Sequence, residues 1–155
     1  MVIANIALGS NLDTPAKNLE RAVLELSALG QVIAKSRLYH TKPWGVVDQP
    51  DFCNAVLQLE TTLAPQELFV QLKEIEQRMG RKTAVRWGPR LIDLDILTYG
   101  DLVVDEPNLT IPHLHMNERA FVLVPLCDVD PSFEAALKAL PAASIQEVEL
   151  SDLSW

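Results

Sequence analysis

The feature of the sequence with the clearest capacity for chemistry is a pair of aspartates in the run Leu91–Leu97. If this apolar run is a strand, residues two apart share a face, and the Cα atoms of Asp93 and Asp95 lie about 6.6 Å apart. Two carboxylates on one face repel each other unless a cation lies between them. Mg²⁺ fits, because it binds few protein oxygens and takes further ligands from water and substrate phosphates. Two solvated aspartates at a strand end are the alternative for the D-x-D pattern alone.

A basic segment immediately precedes the aspartates. Residues 73–90 contain six basic and two acidic residues, although the whole chain has a net charge of −8. Arg86 and Arg90 flank Trp87, Gly88 and Pro89, and their planar guanidinium groups suit phosphate oxygens. Arginines beside a metal-binding carboxylate pair are typical of phosphoryl transfer. A solvated basic loop is the alternative for the charge cluster alone, and the sequence contains no Walker A motif.

A second group of residues could bind a flat heterocycle. Four aromatic residues are predicted in or beside loops: Trp44, Phe52, Trp87 and Phe121. A heterocycle could lie between two such rings, with Asn54, two residues after Phe52 on the same strand face, contacting its edge. Packing of the rings in the core or against loops is the alternative. His113 and His115 lack the partners of a zinc site, which leaves a phosphate contact or a plain surface role.

The elements that position these residues follow from the apolar periodicity. We predict strands at 2–8, 31–40, 52–60 and 91–98, and a turn at 9–11. One helix is predicted to begin at Pro15, with Thr14 as its cap, and to end at Gly30; a second is predicted from Pro65 to Gly80. The resulting β-α-β-β-α-β order predicts an α+β fold. In this ferredoxin-like split βαβ sandwich, both helices cover one face of an antiparallel sheet.

Loops and C-terminal additions complete the predicted organisation. Long loops are expected at 41–51 and 81–90, and a short helix that Pro125 interrupts is expected at 119–127. The length of 155 residues predicts a single domain over 1–155, with a core at about 2–131 and an exposed, acidic, loosely helical tail at about 132–155.

Composition restricts the class of protein. Apolar residues make up 48% of the chain and charged residues 22%, which is typical of a globular domain. The net negative charge argues against a general nucleic-acid binder, and no apolar run approaches the roughly 20 residues of a membrane helix. Cys53 and Cys127 are isolated, which suits a reducing cytosol. We therefore expect a cytoplasmic monomer that acts on small molecules, without a nucleic-acid or membrane partner.

The run from Arg86 to Leu97 resembles the signature of the 6-hydroxymethyl-7,8-dihydropterin pyrophosphokinase family of folate biosynthesis. The resemblance covers about residues 3–131. Further matching segments are Ala7–Asn11, Thr41–Gly45, Gln49–Ala55, Ile75–Glu76 with Gly80–Arg81, and Ile111–His113 with Arg119 and Phe121. The resemblance implies transfer of pyrophosphate from MgATP to the pterin hydroxymethyl group, which releases AMP.

The resemblance also implies a set of site residues. Asp93 and Asp95 would carry two Mg²⁺ ions, and Arg81 and Arg90 would be the catalytic arginines. The positions implied around ATP are Lys73, Glu76, Arg81, Arg86, Trp87, Arg90, Ile96, Thr110, His113 and Arg119. The positions implied around the pterin are Thr41, Pro43, Trp44, Gly45, Phe52, Asn54, Trp87 and Phe121.

Without the resemblance, the residues indicate only Mg²⁺-dependent phosphoryl transfer. A palm-type nucleic-acid enzyme is one alternative, because similar sheets with paired aspartates can also hold two metals; the acidic net charge counts against it. A regulatory module that binds a small ligand without turnover is another. That alternative gives no reason for two aspartates to converge with Arg81 and Arg90.

Overall fold

The computed structural model describes residues 1–42, 50–80 and 91–155. An antiparallel sheet is the central element of the fold. Its strands are β1 (Val2–Ser10), β2 (Gln31–Lys35), β3 (Tyr39–Thr41), β4 (Phe52–Thr61), β5 (Asp93–Tyr99) and β8 (Glu149–Leu150), while β6 (Val104–Glu106) and β7 (Leu109–Ile111) form a separate pair. The helices are α1 (Pro15–Leu26), α2 (Pro65–Arg78), α3 (Ala120–Val129), α4 (Glu134–Lys138) and α5 (Ala142–Gln146).

Strand β1 lies inside the sheet, between β4 and β5. Both β2 and β3 pair with the other edge of β4, and β8 joins β3. Every pairing is antiparallel, so the prediction of an α and β chain with an antiparallel sheet is confirmed. Within the described residues, strand β5 is hydrogen-bonded to a neighbouring strand along one edge only, that of β1.

Helices cover both faces of the sheet. Helices α1 and α2 pack on one face, where their buried side chains share a core with Ile6, Leu57 and Leu94. Helix α3 packs on the opposite face against Val56 and Leu97. Among the described residues, no helix combines the length and the hydropathy that a bilayer crossing requires.

The N-terminal strand and helix differ from the prediction in three places. A turn at 9–11 was expected, but β1 continues through Gly9 and Ser10, because β4 and β5 both pair with Gly9. Thr14 precedes α1 without a side-chain capping bond, and the helix ends at Leu26. Gly30 is therefore not the helix stop; a Cβ there would lie 2.2 Å from the carbonyl oxygen of Glu60, so this close approach to β4 requires glycine.

The predicted single strand at 31–40 is two strands, β2 and β3. Ser36 lies between them and keeps contact with β4, since its N–H donates to the carbonyl of Val56 at 2.8 Å and its hydroxyl accepts from the Val56 N–H at 2.9 Å. The remaining predicted strands and the second helix agree with β4, β5 and α2 to within two residues. Gly80, with φ of 95°, follows the end of α2 as expected.

Helix α3 passes through Pro125 without a break, which contradicts the predicted interruption. The lost backbone hydrogen bond is offset by burial, because Val122, Leu123 and Leu126 of this helix pack against the sheet. The C-terminal segment contains the short helices α4 and α5 and is fixed to the sheet. Its β8 pairs with β3, and the indole N–H of Trp155 donates to the carbonyl of Ser36 at 2.7 Å.

Candidate functional site

Asp93 and Asp95 project from the same face of β5. They alternate with Leu94 and Ile96, which are 0% and 4% exposed and belong to the core beneath α1 and α2. Both aspartates are half-buried, and the side chain of Asp95 is 48% exposed. The spacing of the sequence therefore produces the expected pair of accessible carboxylates, on the sheet face that α3 partly covers.

A row of three residues crosses the sheet at this level. Gly9 on β1 lies between Asp93 on β5 and Asn54 on β4 in the strand register. A Cβ at Gly9 would lie 3.1 Å from Asn54 Oδ1, so glycine leaves open the surface between the carboxylate and the amide. Sequence reasoning missed this contribution of Gly9; a glycine inside a strand pattern was the available signal.

The amide of Asn54 has a fixed orientation. Its Nδ2 donates to the hydroxyl of Thr41 at 2.9 Å, and Asn54 is 8% exposed. Phe52 lies opposite Thr41 in the pairing of β4 with β3 and is half-buried. The structure therefore brings together three of the residues predicted around a heterocycle. Asn11, the residue after β1, holds the segment that precedes β4, since its side chain donates to the carbonyl of Pro50 at 3.0 Å.

Phe121 is the second residue of α3, the helix that packs on this sheet face. Its side chain is 37% exposed, which leaves ring surface available to a ligand. The guanidinium of Arg119 lies 5.7 Å from the centroid of the ring. An aromatic residue on α3 and another at the start of β4 can form two walls for a flat ligand.

His113 is placed against β5 by its backbone, whose N–H donates to the carbonyl of Leu97 at 2.9 Å. Burial is the main cause that lowers the pKa of the His113 imidazole from its usual 6.5. Asp95 raises that pKa, and further lowering comes from three neighbouring cationic or protonatable side chains: Lys73, His115 and Arg119. The aspartate end of β5 therefore lies near the cationic side chains of Lys73 and Arg119, which could attract an anion.

Lys73 and Glu76 approach β5 from α2. Lys73 Nζ lies 3.9 Å from Asp95 Oδ1 and 3.3 Å from Glu76 Oε1. Glu76 is 2% exposed and accepts a 2.7 Å hydrogen bond from the backbone N–H of Leu94. Two other predicted nucleotide positions differ in setting: Ile96 is buried in the core, and Thr110 is half-buried on β7.

Seven predicted positions lie outside the described residues. They are Pro43, Trp44, Gly45, Arg81, Arg86, Trp87 and Arg90. The structure therefore brings together the aspartates, Lys73, Glu76, His113 and Arg119 on one side, and Thr41, Phe52 and Asn54 on the other.

The donor set determines what kind of cation this site could hold. Within residues 1–42, 50–80 and 91–155, no cluster of three or more His, Cys, Asp or Glu side chains has the geometry of a metal site. Two carboxylates with hard oxygens remain, which does not match a closed structural zinc site. They fit Mg²⁺, which retains water and completes its shell from phosphate oxygens.

A cavity of about 370 Å³ lies elsewhere, between residues 35–38, which follow from the end of β2, and the C-terminal segment. None of the candidate residues lines it. Its two cations already have partners: Lys35 donates to the carbonyl of Trp155, and Arg37 pairs with Asp128. The open face around Asp93, Gly9 and Asn54 is therefore the stronger candidate for chemistry.

Comparison with known proteins gives a consistent result. Residues 5–131 match the family model described as 7,8-dihydro-6-hydroxymethylpterin-pyrophosphokinase. A 2-amino-4-hydroxy-6-hydroxymethyldihydropteridine pyrophosphokinase of Haemophilus influenzae is 46% identical over 131 residues, which cover 83% of this chain and 82% of the relative. A relative of the same name from Methylorubrum extorquens is 40% identical over 158 residues. The match covers 96% of this chain and 100% of the relative.

The fold is also found in solved structures. A crystal structure described as HPPK-DHPS in complex with substrates superposes with a TM-score of 0.72 at 16% identity, over 89% of this chain. This chain spans 43% of that longer chain. A Plasmodium falciparum HPPK-DHPS superposes with a TM-score of 0.65 at 20% identity, over 84% of this chain and 40% of the other. At these identities the likeness concerns the fold.

Proposed function

This chain belongs to the 7,8-dihydro-6-hydroxymethylpterin-pyrophosphokinase family, and from that premise we propose how its residues carry out the reaction. It is an enzyme that transfers a pyrophosphoryl group from ATP onto hydroxymethyldihydropterin in folate biosynthesis. The pterin hydroxyl oxygen loses its proton and bonds to the β-phosphorus, the bond between that phosphorus and the α,β-bridging oxygen breaks, and AMP leaves. The proposal rests on the placement of Asp93 and Asp95, both half-buried, on one face of β5.

Asp93 and Asp95 are proposed to hold two Mg²⁺ ions at the phosphates. Bound there, the ions would neutralise phosphate charge and favour attack by the pterin hydroxyl. The two aspartates can hold the ions in a constant position because β5 is fixed on one edge by β1 and on its core face by the buried side chains of Leu94 and Ile96. A rigid strand keeps the distance and orientation of two metal ligands constant, whereas a loop does not.

The nucleotide is proposed to lie over the end of β5, among the cationic side chains of α2 and the segment before α3. Lys73, His113 and Arg119 lie there in the structure. The charges of Lys73 and Arg119 favour an anionic ligand beside the carboxylates, which alone would repel it. The full proposed set also includes Glu76, Ile96, Thr110, Arg81, Arg86, Trp87 and Arg90, with Arg81 and Arg90 acting on the phosphates during transfer.

The pterin is proposed to lie between Phe52 and Phe121. Asn54 would contact the polar edge of the ring, and its hydrogen bond to Thr41 orients the amide for that contact. Gly9 would leave room for the ring system beside Asp93. Pro43, Trp44, Gly45 and Trp87 are the remaining proposed pterin positions.

The proposed architecture is one ferredoxin-like domain over 1–155, acting as a monomer. The sheet order β5-β1-β4-β3, with α1 and α2 together on one face, supports the ferredoxin-like part of this proposal. The C-terminal addition is supported as part of the domain by the pairing of β8 with β3.

The activity is tested by incubating the protein with ATP, Mg²⁺ and 6-hydroxymethyl-7,8-dihydropterin and separating the nucleotides. The proposal predicts AMP in equal amount to a pterin diphosphate, with both requiring Mg²⁺. Formation of ADP instead would indicate transfer of a single phosphoryl group. Equal rates with Mg²⁺ and with excess EDTA would contradict the proposed role of the metal.

A further inference from the structure

The outer edge of β5 is completed by side chains of α2. Leu94, which lies between the two aspartates, is opposite Leu8 on β1. Its backbone N–H and carbonyl point away from β1, because both are bonded to α2: the N–H to Glu76 Oε2 at 2.7 Å and the carbonyl to Lys73 Nζ at 3.3 Å. Two side chains one turn apart on a helix therefore bind the edge of β5 that faces away from β1.

Because Glu76 is buried, its carboxylate requires charged and hydrogen-bonding partners. Glu76 is 2% exposed, and a carboxylate in that setting is tolerated only if it is paired and hydrogen-bonded. Lys73 Nζ supplies a charge 3.3 Å from Oε1, and the Leu94 N–H supplies a short bond to Oε2. A charge-assisted hydrogen bond of this kind is stronger than one between neutral groups.

We propose that Glu76 is a positioning residue: by holding the Leu94 backbone it fixes the strand segment that carries Asp93 and Asp95, and so sets how tightly they bind metal. This inference rests on the proposed function and deepens it. Lys73 is one partner that makes the buried carboxylate tolerable, and its Nζ also lies 3.9 Å from Asp95 Oδ1. The metal affinity of the aspartates thus depends on a helix that faces the core.

The alternative is that Glu76 acts through its charge, by direct contact with nucleotide or metal. The Glu76→Gln variant distinguishes the two roles. A glutamine oxygen can still accept the Leu94 N–H, although the negative charge is gone. Glu76→Ala removes both the acceptor and the charge. Glu74→Ala is the matched control, since Glu74 lies on the same helix and its side chain is 52% exposed.

The first measurement needs neither metal nor substrate. Native-state hydrogen exchange of the Leu94 amide, followed by NMR, should be about tenfold or more faster in Glu76→Ala than in the wild type. Glu76→Gln should stay within about threefold of the wild type, and Glu74→Ala should not change it. Thermal unfolding of each variant establishes that the remainder of the fold is retained.

The second measurement is Mn²⁺ binding, followed by electron paramagnetic resonance in the presence of α,β-methylene-ATP, which cannot transfer its pyrophosphoryl group. Glu76→Ala should bind Mn²⁺ about tenfold more weakly, with Glu76→Gln close to the wild type. If Glu76→Gln is as impaired as Glu76→Ala, Glu76 acts through its charge and the inference is wrong. It is equally wrong if Leu94 exchange or Mn²⁺ binding is unchanged in Glu76→Ala.

If Glu76→Ala fails to fold, Glu76→Gln decides alone. The inference then requires that its Leu94 exchange and Mn²⁺ affinity both remain near wild type. A failure of the proposed function would appear differently, as absence of AMP formation by the wild-type enzyme, whatever the exchange rate of Leu94.

Discussion

The hydroxyl of Tyr39 donates a 2.8 Å hydrogen bond to the carboxylate of Asp128, and this contact joins β3 to α3. Arg37 donates to the same carboxylate through its backbone N–H, Nε and Nη2 at 3.1 to 3.2 Å. Thr41 lies two residues after Tyr39 on β3, and Phe121 lies on α3. The contact therefore fixes the two sides of the proposed pterin site relative to each other.

Tyr39→Phe should lower the free energy of unfolding by about 1–2 kcal/mol, because the partly buried hydrogen bond to Asp128 is lost. It should also raise the KM for the pterin more than the KM for ATP. Urea denaturation and steady-state kinetics measure the two effects. Tyr99→Phe is the matched control, since Tyr99 donates to the carbonyl of Leu63 on the α2 side of the sheet. That variant should lose stability without a change in pterin KM; equal KM changes in both would contradict the role of Tyr39.

Asp128 also predicts a dependence of stability on pH. Burial tends to raise the pKa of Asp128, but hydrogen bonds from Arg37 and Tyr39 outweigh it and hold the pKa below its usual 3.8. A carboxyl group whose pKa is lower in the folded state stabilises the fold fully above its unfolded pKa and loses that contribution as pH falls through the folded pKa. Wild type should therefore exceed Asp128→Asn in stability by a constant amount above about pH 5. The difference in stability should shrink below about pH 4. Urea denaturation of both proteins between about pH 2 and 7 measures it. A difference that stays constant down to about pH 2 would show that Asp128 is unpaired.

The neighbourhood of His113 can be tested by NMR titration without any ligand. Its pKa should lie below 6.5, mainly because of burial. Since Asp95 raises that pKa, Asp95→Asn should lower it further, while Lys73→Met should raise it. Shifts in the opposite directions would show that the three side chains are not arranged as described.

Gly9→Ala should raise the KM for the pterin about tenfold, because the added methyl group lies 3.1 Å from Asn54 Oδ1 and occupies the surface beside Asp93. The fold should be retained, since Gly9 has no positive φ. Gly30→Ala is the contrasting variant: its Cβ would lie 2.2 Å from the carbonyl oxygen of Glu60, which should destabilise the protein and leave KM unchanged in the folded fraction. Kinetics and thermal unfolding of both variants separate the two effects.

The sequence predicts the elements with strong periodicity and misses those that tertiary pairing creates. Leu68, Leu72 and Ile75 recur at helical spacing, and alternation around Asp93 and Asp95 marks β5, so local pattern and fold agree there. Gly9 and Ser10 look like turn residues, yet pairing with two neighbouring strands keeps them extended. Pro125 looks like a helix stop, yet the packing of α3 on the sheet overrides it.

Within the site, the aspartate pair can be predicted from the sequence because its two residues lie on one strand. The contact of Glu76 with Leu94 joins residues 18 apart in sequence, and that of Tyr39 with Asp128 joins residues 89 apart. No local pattern marks either pair, since each depends on how α2 and α3 pack on the sheet. Such long-range contacts become visible only in the folded chain.

The central claim is that Asp93 and Asp95 together hold the metal ions at the phosphates, and Mn²⁺ binding tests it most directly. In the presence of α,β-methylene-ATP, the wild type should bind two Mn²⁺ ions per chain by electron paramagnetic resonance. Asp93→Asn and Asp95→Asn should each lose at least one of them while keeping the wild-type thermal unfolding, and Asp105→Asn, an exposed aspartate on β6, should lose none. Unchanged Mn²⁺ stoichiometry and affinity in both site variants would contradict the account.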